Sequence, residues 1–329
     1  AIDRNAKEVS LSDGTTVSYD KLILALGSRP RYLPVEGADL DGVQVLRTLA
    51  DVDALRPRAS AGKKLVVIGA GYIGLEAAAV ARGLDLGVTV LEAMDRVLAR
   101  VTGPEISEFY QNYHRSQGVD VRLGAMMAGF EGENGKLTGV KLSDGSIIPA
   151  DIALVGVGII PNTEIAADSG IACQDGIVTD RDACTNDPDV YAIGDCARRP
   201  LVHYGRESRL ESVHNALEQA KLAAAAICQK DRPKEDAPWF WSDQYKLKLQ
   251  TAGLSTGYDE AIVRGDPDAA KFAVYYLKDG VFLAVDAINS PPDFLMGKKL
   301  VGASARLDKE ALRDTSISIK DIVNSALGT

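Results

Sequence analysis

The segment KKLVVIGAGYIGLEAAAVARGL sets glycines at positions 69, 71 and 74 between an apolar run and an alanine-rich stretch. In Gly69-x-Gly71-x-x-Gly74 the first glycine allows a tight turn, the second lets a pyrophosphate approach the backbone, and the third packs helix on strand. The helix N-terminus then offers free N–H groups and a positive dipole end to phosphates. A second strand, in GVTVLEAMDR, ends at Glu92, about 20 residues past Gly71, where a carboxylate accepts hydrogen bonds from adenosine ribose hydroxyls. That carboxylate repels a 2′-phosphate, so the pattern predicts NAD rather than NADP. Arg96 and Arg100 follow; they could serve a phosphate, or one of them could lie against the adenine or its ribose, and Arg100 is the candidate carried forward.

Little else has the types and spacing of reaction chemistry. Cys173, Cys184, Cys196 and Cys228 fit no zinc spacing and no C-x-x-C pair, and are expected as reduced thiols. His114, His203 and His214 form no metal motif and have no evident nucleophile partner, so each is expected at the surface or at a helix end. The expected catalytic and metal-ligand sets are therefore both empty.

The elements that must position the glycine turn extend over most of the chain. With 329 residues the sequence is long enough for two or three domains. It has 37 basic and 46 acidic residues, a net charge of −9, which argues against a nucleic-acid partner. No apolar run approaches a membrane span, and AIDRNAKEVS carries no signal peptide, so a soluble, cytoplasmic protein is expected. LSDGTTVSYDKLILALGSRP, from Leu11, is echoed by LSDGSIIPADIALVGVGIIP, from Leu142. Each copy reads as a Ser-Asp-Gly turn between short strands, followed by an apolar strand that breaks at Gly-x-x-Pro. The second copy closes a mononucleotide-binding fold that opened about 75 residues earlier at Gly69. The glycine turn matching the first copy is absent, so the expectation is a chain lacking the front of a first dinucleotide domain. Otherwise the strand Leu22 to Leu26 would have no sheet to join.

TNDPDVYAIGD, Thr185 to Asp195, places a short apolar strand before Gly194-Asp195. Alone, such a dipeptide can simply cap a helix. In this context it resembles the second FAD signature of flavoprotein reductases with two dinucleotide folds, which implies that Asp195 holds ribitol hydroxyls. PWFWSDQYKLKLQTAGL from Pro238 and INSPPDFLMGKKL from Ile288 narrow the likeness to the FAD-dependent NADH:ferredoxin reductases that serve oxygenases and cytochromes P450, within the pyridine nucleotide-disulfide oxidoreductase superfamily. The resemblance implies an α/β fold of the glutathione-reductase kind: two Rossmann-like dinucleotide-binding domains and a smaller C-terminal α/β domain.

It implies FAD-domain segments at residues 1–31 and 161–235, a NAD domain at 32–160 and an interface domain at 236–329. It further implies that Arg47 contacts FAD, that main-chain N–H groups at Val213 meet the flavin pyrimidine edge, and that Glu76 and the Gly156-Val157-Gly158 strand end meet the nicotinamide. Trp241 resembles the aromatic beside the isoalloxazine ring, with packing in an antiparallel sheet as its alternative role. The expected cofactors are FAD and NAD. The implied activity is hydride transfer from NADH to FAD and single-electron transfer to an iron–sulfur ferredoxin, with placement rather than acid–base chemistry as the protein's part. Two alternatives stay open: another NADH-dependent flavin reductase acting on peroxide, oxygen or a disulfide, and a NAD-binding fragment without bound flavin. Arg198, Arg199, Arg206 and Arg209 are either a docking patch for an acidic ferredoxin or a solvated charge run.

Overall fold

The computed structural model describes residues 1–328 and divides the chain into two units. One comprises Pro30–Gly158 with the residues from Trp241 onward; the other comprises Ala1–Arg29 with Ile159–Phe240.

In the larger unit five strands lie parallel in the order Val43–Gln44, Ile152–Val155, Lys64–Ile68, Gly87–Leu91, Asp120–Arg122. Leu65 to Ile68 and Ile152 to Val155 are all buried, the near-continuous apolar run that a parallel strand covered on both faces requires. The helix Tyr72–Gly83 turns its small residues Gly74, Ala78, Ala79 and Ala81 inward with Leu75, which lets it lie close on the sheet. The helix Pro104–Ser116 starts on proline, has Glu105 in its first turn and Arg115 in its last, matching charge to its dipole. A three-stranded sheet, Met127–Glu133, Lys136–Leu142 and Ile147–Pro149, precedes the return to the parallel sheet.

In the C-terminal region the strands Lys271–Lys278 and Val281–Ile288 are buried along nearly their whole length rather than alternating. They belong to a five-stranded sheet in the order Trp239–Gln244, Leu247–Gly253, Val281–Ile288, Lys271–Lys278, Glu260–Asp266. Leu247, Leu249, Phe272, Val274 and Tyr276 of this sheet share one apolar core with Val67, Leu75, Ile106 and Tyr110. Gly297 lets the helix Pro291–Leu300 press onto the sheet, since a Cβ there would lie 2.2 Å from Val285. The segment after Asp308 forms two helices, Lys309–Arg313 and Ile319–Leu327. Asp308 caps the first by accepting from the Glu310 and Ala311 N–H groups. Between the helices Asp314 accepts from the Ser316 N–H at 2.9 Å, a local turn that competes with helix continuation.

Asp286, 1% exposed, accepts hydrogen bonds from the hydroxyls of Thr102, Thr251 and Tyr276. Burial raises its pKa. These donors join the helix-bearing part of the unit to its C-terminal sheet.

The second unit begins with a meander, Ile2–Asp3, Glu8–Ser10 and Thr16–Ser18. Its Ser-Asp-Gly turn repeats that of the other unit atom for atom. Asp13 accepts from the Thr15 N–H at 2.9 Å and Asp144 from the Ser146 N–H at 2.8 Å, and the following glycines have φ of 85° and 86°. The strand Leu22–Leu24 then pairs in parallel with Val190–Ala192, so the opening residues share a sheet with the strand that leads to Asp195. That sheet has two strands, and Ile23 remains 42% exposed where the matching strand Ile152–Val155 is wholly buried. Ile177–Val178, Ala197–Leu201 and Arg206–Ser208 form a further sheet, and the helix Val213–Ile227 completes the unit.

Candidate functional sites

The glycine turn is built as its spacing requires. Gly69 has φ of +101°, and a Cβ there would lie 2.5 Å from the Gly156 carbonyl oxygen. A Cβ on Gly74 would lie 2.1 Å from the Gly69 carbonyl oxygen. Gly71 differs: it is the N-cap of Tyr72–Gly83, and a Cβ there would meet nothing within 4 Å. Gly69 and Gly74 shape the turn, and Gly71 keeps open the space in front of the helix N-terminus. Glu92 accepts from the Ala70 N–H at 2.8 Å and from the Met94 N–H at 2.9 Å. A carboxylate has acceptor sites to spare, so Glu92 both braces the turn and presents negative charge beside it.

The two nearby arginines separate cleanly. Arg96 donates to the Thr102 and Ala99 carbonyls and to the Ser107 hydroxyl, which commits its guanidinium to the loop. Arg100 is exposed, and its Nη1 would lie 3.9 Å from a Cβ on Gly158, which has φ of +105°. It therefore overhangs the Gly156 to Gly158 strand end. Arg47 is exposed at the entry to the helix Leu49–Leu55, with its N–H bonded to Asp51.

Glu76, one turn into the glycine-turn helix, is half-buried and accepts from the Ser242 hydroxyl at 2.5 Å. Burial raises its pKa and the Ser242 bond opposes the rise. Trp241 stands on the outer face of its strand, 36% exposed, so it is not packed into the sheet's core. Its neighbours Ser242 and Gln244 point the other way and are 0% exposed.

In the second unit Gly194 turns at φ of +78° and donates its N–H to Gln219 at 2.7 Å. Asp195, half-buried, accepts from the Ser28 hydroxyl at 3.0 Å, and its backbone carbonyl accepts from Arg209. Ser28 belongs to the first Gly-x-x-Pro ending, so the repeat delivers a hydroxyl to the Gly-Asp turn. Val213 opens the helix Val213–Ile227, capped by Ser212 through the Asn215 N–H, and is 59% exposed. Behind this turn lie Asn215 and Gln219, 2% and 0% exposed, joined by a side-chain bond of 3.2 Å. Asn215 Oδ1 and Gln219 Nε2 are buried without partners. A carboxyl group, a hydroxyl, a helix N-terminus and an unfilled acceptor and donor form a set that suits a polyhydroxyl group with a ring that becomes anionic on reduction, as FAD carries.

Several residues behave otherwise than expected. Of the four arginines considered for docking, Arg199 is 7% exposed, and Arg209 is taken up by Asp175, Glu211 and the Asp195 carbonyl. Arg198 pairs with Glu207, which leaves Arg206 as the exposed one. The charges of Arg198, Arg199 and Arg209 are thus engaged by neighbouring carboxylates. His114 lies at a helix end, as expected, yet is fully buried and bonded to Gln244. The four cysteines are free thiols, and burial raises the pKa of Cys173, Cys184 and Cys196, which suppresses thiolate chemistry. No helix among the described residues is long and apolar enough to cross a membrane.

Ser28, Gln219, Ser242 and Gln244 escaped the motif reading. Strand alternation in WSDQ does place Ser242 and Gln244 on one face; their target on a distant helix has no local signal.

The model of the pyridine nucleotide-disulphide oxidoreductase family matches residues 1–220, and a reductase C-terminal model matches residues 239–323. The chain belongs to the pyridine nucleotide-disulphide oxidoreductase family, whose members use FAD. It is 44% identical over 331 residues to putidaredoxin reductase of Pseudomonas putida, covering 99% of this chain and 78% of that one. A probable ferredoxin reductase of Castellaniella defragrans is 44% identical over 320 residues, covering 97% of this chain and 78% of the relative. The crystal structure of the covalent putidaredoxin reductase–putidaredoxin complex superposes with a TM-score of 0.97 at 44% identity, covering 100% of this chain and 80% of that one.

Proposed function

We propose that this chain carries an NADH-dependent ferredoxin reductase activity, passing electrons from NADH through FAD to an iron–sulfur ferredoxin of an oxygenase or cytochrome P450 system. The observation that carries this reading is the 44% identity to putidaredoxin reductase along 99% of the chain. NADH is read as the substrate and FAD as the resident cofactor. Bound FAD would supply the exchange between a two-electron hydride donor and a one-electron acceptor.

The residues' own part is placement and field. The open space at Gly71 and the N–H groups of Tyr72–Gly83 receive the nucleotide pyrophosphate. Glu92 accepts from the adenosine ribose and excludes a 2′-phosphate, while Arg100 closes over the strand end at Gly158. Glu76 faces the nicotinamide. In the other unit Asp195, aimed by Gly194, accepts from ribitol hydroxyls, and the N–H groups at Val213 favour negative charge on the pyrimidine edge.

The test is reconstitution. The purified chain is incubated with FAD, and NADH oxidation is followed with ferricyanide, then with a two-iron ferredoxin coupled to cytochrome c. FAD-dependent, NADH-specific reduction of cytochrome c that requires the ferredoxin is expected. A chain that binds neither FAD nor NADH, or that prefers NADPH, overturns the reading.

A further inference from the structure

Glu76 stands at one end of a buried run of hydrogen bonds. Its Oε1 accepts from Ser242 Oγ at 2.5 Å, and Gln244 Nε2 donates to Ser242 Oγ at 3.2 Å. Gln244 Oε1 lies 2.8 Å from His114 Nε2, and the Tyr245 hydroxyl lies 3.3 Å from His114 Nδ1. Ser242, Gln244 and His114 are each 0% exposed, so no bulk water substitutes for a missing partner.

The direction of every bond follows from the carboxylate. Ser242 has one hydroxyl proton, and it goes to Glu76; towards Gln244 its oxygen can only accept. Gln244 must then present Nε2 to Ser242 and Oε1 to His114. His114 carries its proton on Nε2, and Nδ1 is left to accept from Tyr245. Burial keeps the imidazole neutral by lowering its pKa, in agreement with one ring proton. Flipping the Gln244 amide would draw the Ser242 proton away from a half-buried carboxylate, so the order holds as a unit. Glu76 also receives the Asp243 backbone N–H.

Resting on the reading that the nicotinamide comes to Glu76, we propose that Ser242, Gln244 and His114 are positioning residues that hold the Glu76 carboxylate at the nucleotide face. This gives the site a preference for oxidised, cationic nicotinamide over the reduced, neutral ring. A fixed carboxylate attracts the cation and is indifferent to the neutral ring, whereas a loosened one loses that difference first. The device would favour the direction in which hydride leaves the nicotinamide.

Calorimetric titration of the chain with NAD⁺ and NADH separately tests this. Ser242→Ala is expected to weaken NAD⁺ binding about tenfold more than NADH binding, and Ser242→Thr, which keeps the hydroxyl, to restore the wild-type ratio. Nitrogen-15 NMR of the unaltered chain is expected to show His114 as the neutral Nε2–H tautomer. Equal losses for both nucleotides in Ser242→Ala, or a His114 found as Nδ1–H or as imidazolium at neutral pH, overturn the proposal. Glu76→Gln separates the two levels: if it alters neither affinity, the nicotinamide does not reach residue 76, and the proposal falls with that placement even where the tautomer is as expected.

Discussion

Glycine chemistry was readable at single residues because it depends on what the residue lacks. The spacing alone gave Gly69, Gly71 and Gly74 their roles, and the structure separates those roles further. Gly69→Ala combines a backbone at φ of +101° with a Cβ 2.5 Å from a carbonyl oxygen. It is expected to cost about 2 kcal/mol or more in urea unfolding, as strained positions do. Gly71→Ala meets no atom and should leave stability within about 1 kcal/mol, yet lower NADH affinity because the added methyl occupies the phosphate's approach. Asp286 was not readable in the same way. An acidic residue in the strand VFLAVDAI breaks the apolar pattern, but Thr102, which donates to it, lies 184 residues away. Asp286→Ala would leave three buried hydroxyls without their acceptor and is expected to destabilise by about 3 kcal/mol in the same measurement.

Elements were legible where their pattern is periodic and their ends carry caps. Val213–Ile227 is one: Ser212→Ala removes its cap at about 1 kcal/mol and should weaken FAD retention in parallel, seen by ultrafiltration. At the C-terminus the Asp314 turn interrupts an otherwise acceptable helical run, so two helices form there. The helix-end place of His114 was legible, but its burial was not, because a histidine there suits the dipole at the surface and the contrary influence, Gln244, comes from a strand. Its burial has a pH signature. The folded-state pKa lies below the ordinary imidazole value of 6.5, so unfolded chains take up a proton that folded chains refuse. Stability from this group is complete above about pH 6.5 and declines as pH falls from there towards the folded value. Urea midpoints should follow that course, and His114→Gln should flatten it.

At the scale of the molecule, length and the internal repeat foretold two nucleotide-type folds, because a duplicated strand ending needs a sheet for each copy. What they did not foretell is that the C-terminal sheet shares the core of the half that carries Gly69, since Leu249 and Tyr276 meet Val67 and Tyr110 only in space. Two units with cores of their own should melt in separable steps in calorimetry. Saturating NADH should move only the step of the unit containing Gly69, by about 2.7 kcal/mol at a hundredfold excess over its Kd. A shift of both steps together would show that one cooperative block had been mistaken for two.

The parallel pairing of Leu22–Leu24 with Val190–Ala192 also governs how the polypeptide is made. The first of these segments leaves the ribosome about 170 residues before its mate, on the order of ten seconds or more at ordinary elongation rates. Through that interval the edge of Leu22–Leu24 that pairs with Val190–Ala192 waits for its mate, while the segment between them is already being assembled. Soluble yield should therefore track the supply of holding chaperones and the pace of translation more closely than the finished protein's resistance to denaturant.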